Sequence, residues 1–315
     1  MKNLIAKIYY KFFTKNKGLL KEEPDERDYI FGAIKKRKVL REDGQWTAFL
    51  PKGELQKNPL ETMSCTSQSI LNCVEIINKI QYNEDKNYSD RFLAKCSNTT
   101  KRGNSVRKVL ETLRKYYGTV GEKQWSGANF KSWENYYKAI QKDILDMGQL
   151  WIKRYNLEYE SVKDNKSELT DALKYSPLCA AGFAWYNKNG LYQSYGRANH
   201  YFVIVGYKQN EYWLAFDSYS PFLKKLDWNY KFSYVKTLFL EKNKIGYNQE
   251  VINKLKKRGY KYIQRPEANG EFYELTDQGL KYLTSEQARD LGIKTLSTNK
   301  QLIGINEEYY NSLIK

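Results

Sequence analysis

A single histidine stands in 315 residues, and that scarcity excludes more than any motif does. Ordinary zinc sites gather several His, Cys or carboxylate ligands at short spacing. No such cluster is present, and neither is an H-E-x-x-H or C-x-x-C pair. Any reaction that moves a proton on an imidazole must use His200. Walker A and G-x-G-x-x-G loops are missing too, which removes nucleotide-triphosphate and dinucleotide enzymes. No cofactor and no metal are expected.

Cysteine is also sparse. The four residues, Cys65, Cys73, Cys96 and Cys179, are too few for the disulfide framework of a small secreted chain. Cys65 and Cys73 fall about two turns apart on one predicted helix, roughly 12 Å at 1.5 Å per residue, beyond bridging distance. No apolar run approaches the roughly 18 residues of a spanning helix, and mean hydropathy is -0.77, so no transmembrane segment is expected. The N-terminal stretch is interrupted by lysine every few positions and has no small-residue cleavage site, unlike a signal peptide. A reducing intracellular or virion-associated setting follows as the expectation.

Positive charge is plentiful, with 53 Lys and Arg against 36 Asp and Glu, a net +17. A basic surface attracts acidic partners, nucleic acid or anionic membranes. No helix-turn-helix, zinc-finger or RNP motif accompanies it, so sequence-specific nucleic-acid binding is not expected. The plainer reading is a solvated, lysine-rich surface. Aromatic residues, 28 Tyr and seven Trp, are expected to supply much of the core.

Three regions differ in texture. Residues 1–25 are basic; Leu4, Ile5, Ile8, Tyr9, Phe12 and Phe13 recur at helical spacing opposite Lys7, Lys11 and Lys15. That pattern suits either an amphipathic anchor or a helix packed on its own domain. Residues 26–243 form the main domain. Residues 29–60 look irregular. A helix is predicted from Cys65 to about Ile80, with Ile70, Leu71, Val74 and Ile77 on its apolar face. Asn104 or Ser105 caps a second helix carrying Val106, Leu110 and Leu113 and stopping at Gly118. A third, aromatic-rich helix is predicted over 131–147, and a short one from Ser167 to before Pro177.

Strands follow. One is predicted over 178–186 and another from His200 to Tyr207. A turn at 208–210 leads into a hairpin partner at 211–217. Helices first and antiparallel strands second is an α+β order. Residues 246–315 read as a separate small α/β module. It has a basic helix near 251–258, a hairpin around Asp277-Gln278-Gly279, and a capping box from Thr284 to Gln287 opening a helix that ends at Gly292.

Two residues stand out chemically. Cys65 follows a polar loop and opens a helix, where unpaired N–H groups and the helix dipole favour negative charge. Cys73, Cys96 and Cys179 lack that context and read as structural. His200 opens an apolar strand, where a polar ring needs a reason. Asp217 ends the paired strand, so the hairpin can set it beside the imidazole and orient the ring.

The segment from Glu61 through Cys65 to Ile70 resembles the nucleophile helix of papain-like (C1-type) cysteine peptidases, of a bacterial or phage variety. Asn199 to Tyr207 resembles the family's His strand, and Glu211 to Tyr219 the strand ending in its third catalytic residue. The separation of Cys65 from His200 falls inside the roughly 130–150 residues of that arrangement. Tyr88 to Ala94 and Lys174 to Ala181 resemble interior segments of the same fold. The resemblance spans about 26–243. It implies a helical half and an antiparallel β half, with Cys65 as nucleophile, His200 as general base and acid, and Asp217 as orienting residue. The Cys65 N–H would be one oxyanion donor and Gln56 the other, although Gln56 lies nine residues before Cys65, so the intervening loop must bulge. The family's usual third residue is Asn, and its following aromatic is Trp where this chain has Tyr219. Residues 1–25 are too short for the family's inhibitory propeptide, so a zymogen is not expected.

The resemblance implies a peptidase acting on a protein or peptide substrate. Two other readings stay open. One is a thiol hydrolase or transferase with the same Cys-His-Asp order, such as a cell-wall amidase or a transglutaminase-like enzyme. The other is a weakly active or inactive papain-fold binding protein of a virion or surface assembly, docked through residues 1–22 or 246–315.

Overall fold

The computed structural model describes residues 17–22, 30–32, 37–182, 184–186, 189–194, 197–243, 249–265, 271–276, 279–283, 285–291, 293 and 301–304. The amphipathic pattern at residues 4–15 lies outside them, as do Asp277, Gln278, Thr284 and Gly292. Contacts divide the chain into two compact units, Met1–Lys242 and Asn243–Lys315.

The first unit is built on α1 (Cys65–Tyr82). Thirteen of its 18 residues are buried, so it is a central helix and not a surface one. Asn83 ends it in the left-handed region, its N–H bonded to Asn78 and Lys79 carbonyls, as a helix C-terminus requires. Around it lie α2 (Asp90–Cys96), α3 (Val106–Glu111, continued by a wider turn Thr112–Tyr116), α4 (Trp133–Tyr136) and α5 (Lys142–Arg154). Ser105, not Asn104, caps α3 by accepting from Lys108 N–H.

The β half follows as β1 (Tyr155–Ser161), α6 (Lys166–Ala172), β2 (Leu178–Gly182), β3 (Ala184–Tyr186), β4 (Tyr192–Ser194), β5 (His200–Lys208), β6 (Tyr212–Phe216), β7 (Leu223–Asp227) and β8 (Ser233–Lys242). They form one eight-stranded sheet in the order β1-β8-β2-β5-β6-β7-β4-β3, antiparallel apart from a contact between β4 and β7. Helix α1 packs on β5, β8 and β2. Trp213 and Trp228 stack at 4.4 Å near the β6–β7 pair, and Trp46 is wholly buried, its indole N–H bonded to the Leu173 carbonyl.

Two predicted elements are corrected. The helix over 131–147 is two: α4 is a single turn capped by Ser132, and the chain restarts at Gln141. Tyr136 and Tyr137 are both buried, and neighbouring residues on a continuing helix would point about 100° apart. Ending the turn lets the two rings pack at 4.8 Å, with the Tyr137 hydroxyl donating to the Thr62 carbonyl. The strand over 178–186 is also two, because β2 pairs β5 and β8 whereas β3 leaves to pair β4.

The second unit contains α7 (Gln249–Lys257), β9 (Tyr262–Arg265), β10 (Glu271–Thr276), β11 (Gly279–Leu283), α8 (Ser285–Asp290) and β12 (Leu302–Gly304). Its sheet runs β11-β10-β9-β12. Ile252 and Leu255 of α7 bury against Ile263, Tyr273 and Leu275. Ala288 of α8 meets Leu283 and Leu302. Among the described residues, no helix is long and apolar enough to cross a membrane.

Candidate active site

Cys65 is the first residue of α1 and fully buried. His200 is the first residue of β5, which crosses α1. The β5–β6 register pairs Val203 with Phe216. Asp217 therefore follows opposite Phe202, one diagonal step from His200 on the same face, within reach of long side chains. His200 Nε2 meets Asp217 Oδ1 at 2.6 Å. With Nε2 taken, Nδ1 is the nitrogen left for Cys65. It is buried without a hydrogen-bond partner, yet Cys65 is close enough to favour the protonated ring.

The electrostatics couple the row. Burial opposes charge on His200, but the Asp217 carboxylate and then Cys65 outweigh it and raise the ring to about 10. Burial likewise works against the Asp217 carboxylate, and His200 and Lys224 overcome it, holding the group at about 2. Burial pushes the Cys96 thiol up to about 12 and the Cys73 thiol well above its ordinary value. All four cysteines are free.

Gln56 reaches the same place. Residues 57–61 form a loop closed by a Lys57–Glu61 bridge. Thr62 thereby returns beside Gln56 and donates to its carbonyl through both N–H and hydroxyl. The nine-residue spacing is thus absorbed by a closed bulge. The Gln56 side chain is wholly buried and its amide is oriented: Oε1 accepts from Ser218, and Nε2 lies 2.6 Å from Glu61 Oε1. An amide nitrogen carries two hydrogens. The second is directed to the Lys17 carbonyl at 2.7 Å, while the Tyr219 hydroxyl is a longer contact at 3.1 Å. Tyr219 also donates to Glu61 Oε2, and its ring lies 5.2 Å from that of His200.

Residues 17–22 lie across this site. Lys17 and Leu19 N–H both point to the Asn199 carbonyl at 3.1 and 3.4 Å, and Leu19 bridges Asn104 in parallel. Gly18 makes the approach possible. Its φ is +114°, and a Cβ there would stand 2.6 Å from the Met63 carbonyl oxygen and 3.1 Å from Cys65 Sγ. Gly103 is needed for the same reason, since its Cβ would meet the Gly18 carbonyl oxygen at 2.0 Å. Leu19 is buried, and Glu22 accepts from the Arg107 N–H in the first turn of α3. Backbone hydrogen bonds to Asn199 on one side and Asn104 on the other hold the segment.

Sequence reasoning brought Cys65, His200, Asp217 and Gln56 forward, and the structure gathers all four. It missed Glu61, Lys224 and residues 17–22. Glu61 had a signal, standing four residues before Cys65 in the polar stretch that leads into α1. The backbone carbonyl of Asn199 has none. Among the described residues, no group of three or more His, Cys, Asp or Glu side chains is arranged to hold a metal ion.

The fold is that of solved papain-like cysteine proteases. The cysteine protease and lectin-like domains of Cwp84, a surface layer associated protein of Clostridium difficile, match with a TM-score of 0.56 and 14% identity. That match covers 77% of this chain and 60% of the other, so the chain spans less than two thirds of that protein's length. Clostridial Cwp84 after propeptide cleavage matches at 0.50 with 16% identity, over 62% of this chain and 56% of that one. Digestive procathepsin L 3 of the Tenebrio molitor larval midgut gives 0.49 with 16% identity, over 73% and 78%. At these identities the likeness concerns the fold. No protein-family model and no curated protein matches the sequence.

Proposed function

We propose that the chain is a cysteine peptidase that hydrolyses peptide bonds of a protein or peptide through an acyl-enzyme, with residues 246–315 as an accessory module. The observation that carries this reading is His200, held by Asp217 at Nε2 and left with Nδ1 toward Cys65. Cys65 passes its proton to Nδ1, and its sulfur attacks the substrate carbonyl carbon. The oxyanion is received by the Gln56 Nε2 hydrogen that the Lys17 carbonyl gives up, and by the Cys65 N–H. His200 then gives the proton to the departing amine as the C–N bond breaks, leaving a thioester. Water loses a proton to His200, attacks the thioester carbon and releases Cys65.

The Lys17 carbonyl occupies the place of a substrate carbonyl on Gln56 Nε2, so turnover requires residues 17–22 to leave. That cover also favours a second reading, a papain-fold binding protein whose cysteine is never exposed. An alkylation experiment separates the two. Iodoacetamide at neutral pH should modify Cys65 alone among the four cysteines, and His200→Ala should abolish the selectivity. Modification of Cys96 first, or of none, overturns the peptidase reading.

A further inference from the structure

The Asp217 carboxylate has two partners, and only one belongs to the reaction. Oδ1 faces His200. Oδ2 lies 2.8 Å from Lys224 Nζ, and both side chains are under a tenth exposed. The ammonium's remaining donors go to the Tyr219 and Pro221 carbonyls, so its three hydrogens are all used. Lys224 reaches this position by register. It pairs with Ala215 on β6, and the alternation of β7 turns it inward while Lys225 faces out over the Tyr212 ring.

A buried lysine is costly unless paired, and this one is not paired with a surface acid. It grips the carboxylate that orients the only histidine, together with the loop that carries Tyr219 onto the same imidazole. Cys65, His200, Asp217 and Lys224 make a row of alternating charge once the thiol proton has moved to the ring. Without Lys224 that row would hold one excess negative charge in a buried place. A bare buried carboxylate would also bind the imidazolium too tightly for it to serve as an acid toward a leaving amine.

We infer that Lys224 is a positioning residue for the Cys65–His200 pair: it offsets part of the charge of Asp217, so that the aspartate orients the imidazole while holding the imidazolium less tightly than a bare carboxylate would. The inference rests on the reading of Cys65 and His200 as the reacting pair. The other groups around the imidazole do not supply this offset. From α1 comes Cys65, and from the loop after β6 come Asp217 and Tyr219. Tyr230 faces Asp217 and is uncharged at neutral pH. One step out, Glu61 holds the Tyr219 hydroxyl, and Lys17 stands over the Tyr219 ring at 5.2 Å.

The test uses the full chain and needs no substrate. With one histidine in the sequence, isotope-labelled imidazole gives a single titrating NMR signal. Lys224→Met should move its midpoint upward by about one pH unit, a tenfold gain in proton affinity, and Lys224→Arg should leave it in place. In an Asp217→Asn background, adding Lys224→Met should again raise the midpoint, because the uncancelled ammonium repels the imidazolium. That second pair keeps the test alive if Lys224→Met alone does not fold. Unchanged midpoints with a lowered melting temperature would overturn the inference and leave Lys224 as a loop staple. Failure of Cys65 alkylation would refute the peptidase reading without touching this titration.

Discussion

Replacing Gly18 by valine puts a branched side chain where the backbone has φ +114° and where a Cβ would stand 2.6 Å from the Met63 carbonyl oxygen. A β-branched residue in left-handed backbone costs on the order of 1–2 kcal/mol, and relieving the contact adds to that. Taken together, about 2 kcal/mol is lost from the docked state of residues 17–22, which shifts docked against undocked segment by roughly 30-fold. If alkylation of Cys65 requires undocking, its rate in the full-length Gly18→Val chain should rise by about that factor, read by mass spectrometry after timed iodoacetamide quenching. Leu19→Ala acts on the same equilibrium by another route, since removing a buried leucine costs about 2–5 kcal/mol. The two variants should therefore accelerate labelling together. Equal rates in wild type and both variants would refute the idea that this segment guards Cys65.

Two further outcomes follow from the same geometry. Gln56→Ala removes the oriented N–H and should lower kcat by about 10²–10³-fold with a smaller effect on KM, measured by steady-state peptide cleavage. Asp217 is held at about 2, below its ordinary 3.8, so its contribution to stability is present above about pH 4 and lost as pH falls through 2. His200 is raised to about 10 from 6.5, so its contribution is complete below pH 6.5 and lost as pH rises through 10. The pair therefore stabilises most between about pH 4 and 6.5. The gap in urea midpoint between wild type and Asp217→Ala should be widest there, with the carboxylate alone accounting for about 2 kcal/mol.

The parts of this site that were legible in the sequence are those marked by local contrast. Cys65 separates a polar loop from an apolar helix, His200 begins a β-branched run, and Asp217 closes an aromatic strand. Lys224 had no such mark. It sits beside Lys225 in a period-two element, and only the pairing with β6 decides which of the two faces inward. Strands β1 and β8 were also illegible. Tyr155 to Ser161 alternates polar with apolar residues, but it follows a helix directly with no Gly, Pro or turn residue to mark where the period changes. The cover formed by residues 17–22 is held through main-chain groups of Asn104 and Asn199, and side-chain patterns carry no information about those.

The strand order has a consequence for how the protein comes into being. Strand β8 lies between β1 and β2, pairing Tyr155 with Lys242 at one border and meeting β2 at the other. Helix α1, with Cys65 at its tip, packs on β8, β2 and β5 together and is too thoroughly buried to persist in water alone. During synthesis Cys65 therefore emerges long before anything exists to receive it. Its socket closes only when the last strand of the first unit arrives, a late and non-local step of the kind that folds slowly. A nascent chain cut short before residue 233 would carry Cys65, His200 and Asp217 and still have no assembled site.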